Sequence, residues 1–181
     1  MKLKKIKNNK YQIILNDKII ETYEDVIVKY NLFNISNIDE EIINKENQFY
    51  EKYYHVLKLI KTKKRSKKEI LKIIGEDKEI LQKLEKEGLV DDFKYTEAYI
   101  HDKFLLSLDG PNKIKRNLLL QGIEEDIINE NLNKITLEEI ENKIIKYIEK
   151  HNKEPKKLIN TLINQGFDYY LILETIKKRN I

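Results

Sequence analysis

Two prolines constrain this chain more than any other feature, because they are the only ones in 181 residues and they stand 44 positions apart. The segments that follow Pro111 and Pro155 match each other at the same offset. The pairs are Ile114 with Leu158, Leu118 with Leu162, Gln121 with Gln165, Gly122 with Gly166, Ile123 with Phe167, Ile127 with Leu171, Ile128 with Ile172 and Leu132 with Ile176. A further step back aligns Ser66 with Gly110 and Ile70 with Ile114, so a third copy, slightly shortened, opens the series.

The repeated segments mark where a helix begins and ends. Proline at the first helical position loses no intrahelical hydrogen bond, so Pro111 and Pro155 predict helix starts. Gly122 and Gly166 follow at the distance where a helix end needs a left-handed residue. Each repeat therefore predicts a helix that runs from its proline to just before its glycine.

Capping boxes predict two further helix starts. Ser66 and Glu69 have the Ser-x-x-Glu spacing at which hydroxyl and carboxylate each satisfy a free backbone amide. Thr136 and Glu139 repeat that spacing and open an amphipathic helix. The start of the first copy is thus encoded by a capping box, whereas proline encodes the start of the later copies.

The helical period extends from Glu24 through almost all of the remaining chain. About three helices in 44 residues is a length typical of helical repeat units, which bury their apolar faces by stacking. We therefore predict a mainly α fold in which tandem three-helix repeats form an elongated, curved solenoid. The predicted divisions are an N-terminal module over 1–47 and repeats over 48–90, 91–135 and 136–181.

The N-terminal module reads differently, as short strands. β-prone runs extend from Leu3 to Lys7, from Tyr11 to Leu15 and from Ile19 to Tyr23. Asn8-Asn9 and Asn16-Asp17 separate them, and asparagine favours such turns. The pattern predicts a small β-meander.

Basic residues are concentrated in one block, although 35 Lys and Arg nearly balance 31 Asp and Glu. Six cations occupy the eight positions between Lys61 and Lys68. Such a block is either a solvated loop or a phosphate-binding patch. Its members are Lys61, Lys63, Lys64, Arg65, Lys67 and Lys68.

Composition also indicates a compartment. Cysteine is absent, which is compatible with a reducing environment and excludes disulfides. No apolar segment follows the lysine-rich start, and no run approaches the roughly 20 residues that a membrane helix needs. We therefore expect a cytoplasmic protein with no membrane partner.

Signals for catalysis are weak. The chain has neither the Gly-x-x-x-x-Gly-Lys-Ser/Thr nor the Gly-x-Gly-x-x-Gly motif that cradles nucleotide phosphates. His55, His101 and His151 are widely spaced, and Asp91-Asp92 suits the positive end of a helix. We expect no enzymatic activity, no metal and no cofactor.

Three motifs in a fixed order resemble those of the bacterial RecX family of regulatory proteins. They are Arg65-Ser66-x-x-Glu69-Ile70, then Gly88-Leu89-Val90-Asp91-Asp92-Phe93-Lys94-Tyr95 with Ala98-Tyr99-Ile100 to Lys103, then Gly110-Pro111-x-x-Ile114 with Leu118 and Gly122-Ile123. The resemblance covers essentially the whole chain, including the N-terminal strands found in many Gram-positive members. Departures are Thr96 for the family's alanine, Lys103 for its arginine, and the shortened first repeat.

The resemblance implies a non-enzymatic modulator, mostly an inhibitor, of the RecA recombinase. Proteins of this family bind RecA and its nucleoprotein filament on single-stranded DNA, lie in the filament groove, and restrain filament growth, ATP hydrolysis and strand exchange. It therefore implies RecA, its filament and single-stranded DNA as partners, with weaker binding of duplex DNA. We expect a monomer.

A contact side for that partner follows as a hypothesis from the cations at equivalent helix starts. A repeated arrangement would align them along one side of the solenoid, where they could meet phosphates and protein together. The predicted set joins the Lys61 to Lys68 cations to Lys113, Lys115, Arg116, Lys156 and Lys157.

The remaining motif residues are interpreted as structural. Asp92 is placed to cap a helix whose Tyr95 and Tyr99, four apart on one face, pack against the preceding repeat, with direct partner contact as the alternative. Tyr50, Tyr53 and Tyr54 could stack on bases, but their helical spacing favours a core or rim position. The structural set is Ser66, Glu69, Asp91, Asp92, Tyr95, Tyr99, Gly110, Pro111, Gly122 and Gly166.

An alternative from another class is a helical DNA-binding transcriptional regulator. No recognition helix with polar base-reading residues stands out, and no heptads predict a dimer that would set half-site spacing. A nuclease or other enzyme ranks below both.

Overall fold

The computed structural model describes residues 2–7, 9–15, 18–34, 39–151 and 154–179. The chain divides into two compact units, Met1–Lys63 and Lys64–Ile181. The finer division into an N-terminal module and three repeats stays a prediction.

The first unit opens with the predicted meander. Strands β1 (Lys2–Lys7), β2 (Lys10–Leu15) and β3 (Lys18–Tyr23) form an antiparallel sheet in the order β1-β2-β3. Each strand starts one residue earlier than the β-prone runs predicted. The predicted turn residues Asn8, Asn16 and Asp17 lie outside the described residues.

Helices complete this unit: α1 (Glu24–Lys29), a short 3-10 helix (Leu32–Asn34) and α2 (Glu40–Thr62). Asp39 caps α2 by accepting hydrogen bonds from the backbone amides of Glu41 and Ile42. The Thr22 hydroxyl donates to the Asn47 side chain at 2.8 Å, which ties β3 to α2. The buried apolar residues of the unit include Ile13, Val26, Ile27, Leu32, Ile43 and Val56.

The second unit is helical throughout its described residues. Its helices are α3 (Lys67–Ile74), α4 (Lys78–Lys86), α5 (Asp92–Leu106), α6 (Pro111–Leu120), α7 (Glu125–Leu132), α8 (Leu137–Lys150), α9 (Pro155–Asn164) and α10 (Tyr169–Arg179). Helices α5 to α7 lie within the predicted second repeat, and α8 to α10 within the predicted third. This arrangement, with the N-terminal sheet, confirms the mainly α fold.

The predicted boundary signals are confirmed. Pro111 and Pro155 each stand in the first turn of their helices, and both predicted capping boxes, at Ser66 and at Thr136, are formed. Gly122 and Gly166 follow α6 and α9 with φ of 78° and 88°. Local sequence therefore determines where these helices start and stop.

Matched positions of the repeat are buried in corresponding cores. Ile114 and Leu158, like Leu118 and Leu162, are at most 6% exposed. The core of the second repeat consists of Tyr95, Ile100, Phe104, Ile114, Leu118, Ile123 and Ile128, and that of the third of Ile144, Ile148, Leu158, Leu162, Phe167 and Ile172.

The first copy is shorter because both its helix and its turn are reduced. Helix α3 has 8 residues, whereas α6 and α9 have 10. Gly75 and Glu76 then take left-handed conformations in succession, with φ of 68° and 61°, before α4 begins.

No helix in the described parts of the chain is long and apolar enough to span a membrane.

Candidate partner interface

The start of α3, at the centre of the basic block, is tied to α5 and α4. Ser66 is completely buried. The Lys67 backbone amide donates to the Asp92 carboxylate at 2.9 Å, and the Lys67 ammonium lies 2.6 Å from Glu85. The hydrogen bond to Glu85 raises the pKa of Lys67, so this predicted contact lysine is already paired.

The same helix start docks on the end of α6, forming what we call the first joint. The Ser66 hydroxyl donates to the Gln121 carbonyl oxygen at 3.2 Å, and the Lys68 ammonium donates to the Leu120 carbonyl oxygen at 3.2 Å. A Cβ atom at Gly122 would lie 2.4 Å from the Lys68 side chain. Glycine at this position therefore permits the close approach of two repeats.

A second joint repeats this arrangement between α6 and the end of α9. The Gly110 amide donates to the Gln165 carbonyl at 2.7 Å, and the Asn112 amide to the Gly166 carbonyl at 3.1 Å. The Lys113 ammonium lies 2.6 Å from Asp109 and 2.7 Å from the Gln165 side-chain oxygen. Two lysines predicted to contact a partner, Lys68 and Lys113, thus hold neighbouring repeats together.

The other predicted contact residues differ in their availability. Lys115 pairs with Glu125 at 2.6 Å and Lys157 with Glu154 at 3.6 Å. Arg65 is half-buried, and its Nε atom has no hydrogen-bond partner among the described residues. Among the predicted contact cations of the second unit, three are exposed and have no partner in the described parts of the chain, namely Lys64, Arg116 and Lys156.

Lys61 and Lys63 belong to the first unit, where Lys61 lies in the last turn of α2 and Lys63 follows as its C-cap. Both side chains are exposed. Their predicted role in a common surface with the cations of the second unit stays a prediction.

The aspartate pair divides two tasks in a way that the sequence did not predict. Asp91, and not Asp92, caps α5 by accepting from the amides of Phe93 and Lys94. The hydrogen bond from Lys94 lowers the pKa of Asp91. Asp92 is 8% exposed and instead caps α3 from a distance of 25 residues along the chain, while burial raises its pKa.

Tyr95 lies in the core of its own repeat. Its hydroxyl donates to the Gln121 side chain, and its ring stacks on Tyr99 with a centroid separation of 6.1 Å. Burial raises the pKa of Tyr95 to about 12. Tyr95 belongs to the core cluster of α5, α6 and α7, and the charges of Glu69 and Arg65 from the preceding repeat also act on it. The predicted packing of this face against the preceding repeat stays a prediction.

The tyrosines of α2 are structural. Tyr50 and Tyr53 are at most 8% exposed, and Tyr54 donates its hydroxyl hydrogen to Asp25 at 2.6 Å. These residues are buried or bonded in the first unit, so the core interpretation holds for them.

Sequence reasoning missed one aromatic feature of the second unit. Tyr169 and Tyr170, in the first turn of α10, are 47% and 78% exposed. Their positions fit a helix, so spacing alone gave no reason to separate them from core residues. Only their exposed fractions in the structure distinguish these two tyrosines from core residues.

Within the described residues, no group of three or more His, Cys, Asp or Glu side chains could hold a metal ion. His151 stacks near Tyr147, with ring centroids 4.1 Å apart, and its Nδ1 lies 2.8 Å from the Tyr147 carbonyl.

Comparison with known proteins agrees with this architecture. A family model described as the second three-helix domain of RecX matches residues 91–132. The regulatory protein RecX of Clostridium perfringens (strain 13 / Type A) is 30% identical over 165 residues, covering 81% of this chain and 76% of that protein. RecX of Streptococcus sanguinis (strain SK36) is 28% identical over 191 residues, covering 93% and 73%.

Solved structures show the same fold. A crystal structure of regulatory protein RecX has a TM-score of 0.81 and 25% identity, covering 98% of this chain and 97% of that one. RecX from Lactobacillus salivarius has a TM-score of 0.66 and 26% identity, covering 74% and 97%.

Fold and site together define a helical repeat protein whose repeats are joined at helix ends. The sequence relationship is specific enough to name the group: the chain belongs to the RecX family of regulatory proteins.

Proposed function

We propose that this chain is a non-enzymatic, cytoplasmic modulator of the RecA recombinase, and mostly an inhibitor. It binds RecA and its filament on single-stranded DNA, and thereby restrains filament growth, ATP hydrolysis and strand exchange. The observation that carries the proposal is the match to a RecX structure over 98% of the chain. The partner follows from membership of this regulatory family.

The charge distribution supports a partner that is part protein and part nucleic acid. Thirty-five basic and 31 acidic residues leave a net charge of +4, which is small for a protein that would bind DNA through phosphates alone. Exposed cations in or just before the middle helix of each predicted repeat supply local phosphate contacts on an otherwise mixed surface. In the predicted binding mode, the chain contacts RecA subunits and also the single-stranded DNA that they bind.

The cations best placed for this contact are Lys64, Arg116 and Lys156, because they are exposed and the described residues do not pair them. Lys64 precedes α3, Arg116 lies in α6 and Lys156 lies in the first turn of α9. Each lies in or just before the middle helix of its predicted repeat, at positions that the repeat does not match, whereas Lys68 and Lys113 are used in the joints. The contact surface proposed here is therefore narrower than the set of basic residues in the sequence.

Charge reversal tests this surface. The variant K64E/R116E/K156E should bind RecA filaments on single-stranded DNA more weakly, and the slope of log affinity against log salt should fall by about one per lost phosphate contact. The matched control is K78E/K86E/K146E, which makes the same charge change at exposed lysines away from these helix starts.

A triple variant that suppresses RecA ATP hydrolysis as strongly as its control would contradict the proposed surface. Adding K61E and K63E then tests whether the end of α2 contributes to filament binding.

A further inference from the structure

Two adjacent aromatic side chains stand outside every core of the protein. Of the 11 tyrosines in the chain, nine are buried or half-buried, and Tyr169 and Tyr170 alone are exposed. Their exposed fractions are 47% and 78%. The second repeat has Glu125 and Asp126 at the corresponding positions, so packing of the repeat does not require aromatic residues here.

The pair is held in a defined geometry. The ring centroids are 5.6 Å apart and the ring planes are inclined by 63°, an edge-to-face arrangement that aromatic pairs favour. The turn before them is fixed, because the Gly166 carbonyl accepts from Asn112 in the second joint at 3.1 Å. The tyrosines therefore follow a turn that is hydrogen-bonded in the second joint, and they face solvent.

The surrounding charge favours an anionic ligand. Residues 155–179 carry five basic and two acidic side chains. Asp168 accepts from the Leu171 amide at 2.9 Å, where the positive end of the α10 dipole offsets part of its charge. Glu174 lies 3.9 Å from Lys178, which also pairs with Glu141 at 2.9 Å. Lys156 and Lys177 are exposed and have no partner among the described residues.

Exposed aromatic rings on a pair of helices, α9 and α10, that also carries unpaired cations match the chemistry of single-stranded nucleic acid. Every base has a flat face that stacks on an aromatic ring, and the phosphates follow the positive charge. Duplex DNA fits less well, because its bases are already stacked on one another. Tyrosine is also common in protein interfaces, but an excess of positive charge is not required there.

We propose that Tyr169 and Tyr170 form a stacking site for unpaired bases of single-stranded nucleic acid. The inference rests on the proposed function and deepens it, since it assigns the base contacts to the start of α10. Phosphate contacts at the helix starts would then give affinity, and these two rings would make the binding depend on the presence of bases.

The test compares Y169A/Y170A with the wild-type chain on two probes, a labelled oligothymidylate and an abasic deoxyribose phosphate oligomer of equal length. Stacking is worth about 1 to 3 kcal/mol per base, so affinity for oligothymidylate should fall about tenfold or more. Affinity for the abasic oligomer should be unchanged. Y169F/Y170F should keep the wild-type preference, because phenylalanine retains the ring.

The control variant is L105A/L106A, which removes two adjacent apolar side chains with exposed fractions of 58% and 78%. It should bind both probes as the wild type does. Equal binding of oligothymidylate by Y169A/Y170A and the wild type would overturn the inference. Loss of RecA suppression with unchanged oligonucleotide binding would also overturn it, because the pair would then dock on protein.

Failure of the proposed function gives a different result. In that case the wild-type chain itself would leave RecA ATP hydrolysis unaffected, whatever the tyrosine variants bind.

Discussion

Asp91 and Asp92 show how two identical neighbours acquire opposite electrostatic properties. The Asp91 carboxylate accepts two backbone hydrogen bonds at the start of α5, and its pKa is lowered. Asp92 is buried, accepts one hydrogen bond from Lys67, and has a raised pKa. Both satisfy free amides, but only Asp92 does so across two helices.

We predict that D92N keeps or raises stability at pH 7. The asparagine oxygen still accepts from Lys67, and the cost of burying the charge is removed. Because burial raises the folded-state pKa, the wild-type chain loses stability as the pH rises from the unfolded value of 3.8 through the folded one. Urea unfolding at pH 7 and pH 4 should therefore show the gain shrinking in acid.

D91N provides the contrast. The lowered pKa of Asp91 contributes stability at neutral pH that is lost as the pH falls through the folded-state value. A gain in stability from D91N at pH 7, comparable to that of D92N, would contradict the assignment.

Buried threonines offer a second comparison at this scale. Thr96 is completely buried, and its hydroxyl has no hydrogen-bond partner among the described residues. Thr175 is 2% exposed, and its hydroxyl donates to the Leu171 carbonyl at 2.7 Å. Thr96 is also the position where the sequence departs from the alanine of the RecX signature.

T96V should raise the free energy of unfolding by about 1 kcal/mol, because it removes an unsatisfied buried hydroxyl while keeping the shape of the side chain. T175V should give no such gain, since it removes a hydrogen bond that is formed. Denaturant unfolding measures both, and equal changes in the two variants would show that hydrogen bonding does not distinguish these sites.

At the scale of elements, the joints explain why glycines follow α6 and α9. Gly166 has a φ of 88°, and a Cβ atom there would lie 2.4 Å from the backbone nitrogen of Lys113. Gly75 also has a positive φ, 68°, but a Cβ atom would meet nothing within 4 Å. Gly166 is therefore required both by its left-handed backbone conformation and by its close contact with Lys113. Gly75 is required by its backbone conformation alone.

G75A should lower the free energy of unfolding by about 1 to 2 kcal/mol, the cost of a left-handed alanine. G166A should cost about 2 kcal/mol more, because the added methyl group overpacks the second joint. Thermal and urea unfolding of the two variants test this difference. If G75A and G166A lower the free energy of unfolding equally, the second joint accommodates the added methyl group without loss of stability.

Whether a feature could be predicted from the sequence depends on how far apart its interacting residues are along the chain. The helix starts at Pro111, Pro155 and Ser66 were predictable because capping signals act within three or four residues. The partner of Lys68 was not, because the Leu120 carbonyl lies 52 residues away. Several of the predicted contact cations are therefore already bonded within the chain, and their role in partner contact stays a prediction. The exposed Tyr169 and Tyr170 went unnoticed.

At the scale of the whole molecule, the near-balance of charge conceals different uses of the same residue type. Some lysines join repeats, as Lys68 and Lys113 do, and others pair with acids on the same surface. A few remain exposed at helix starts. This division is consistent with a regulator that binds a mixed protein and nucleic-acid surface.

The central claim is that the chain restrains RecA, and the most direct measurement is ATP hydrolysis by RecA on single-stranded DNA as this protein is added. We predict suppression at amounts well below one molecule per RecA subunit, with no hydrolysis by the protein alone. An unchanged rate of hydrolysis at equimolar protein would contradict the account.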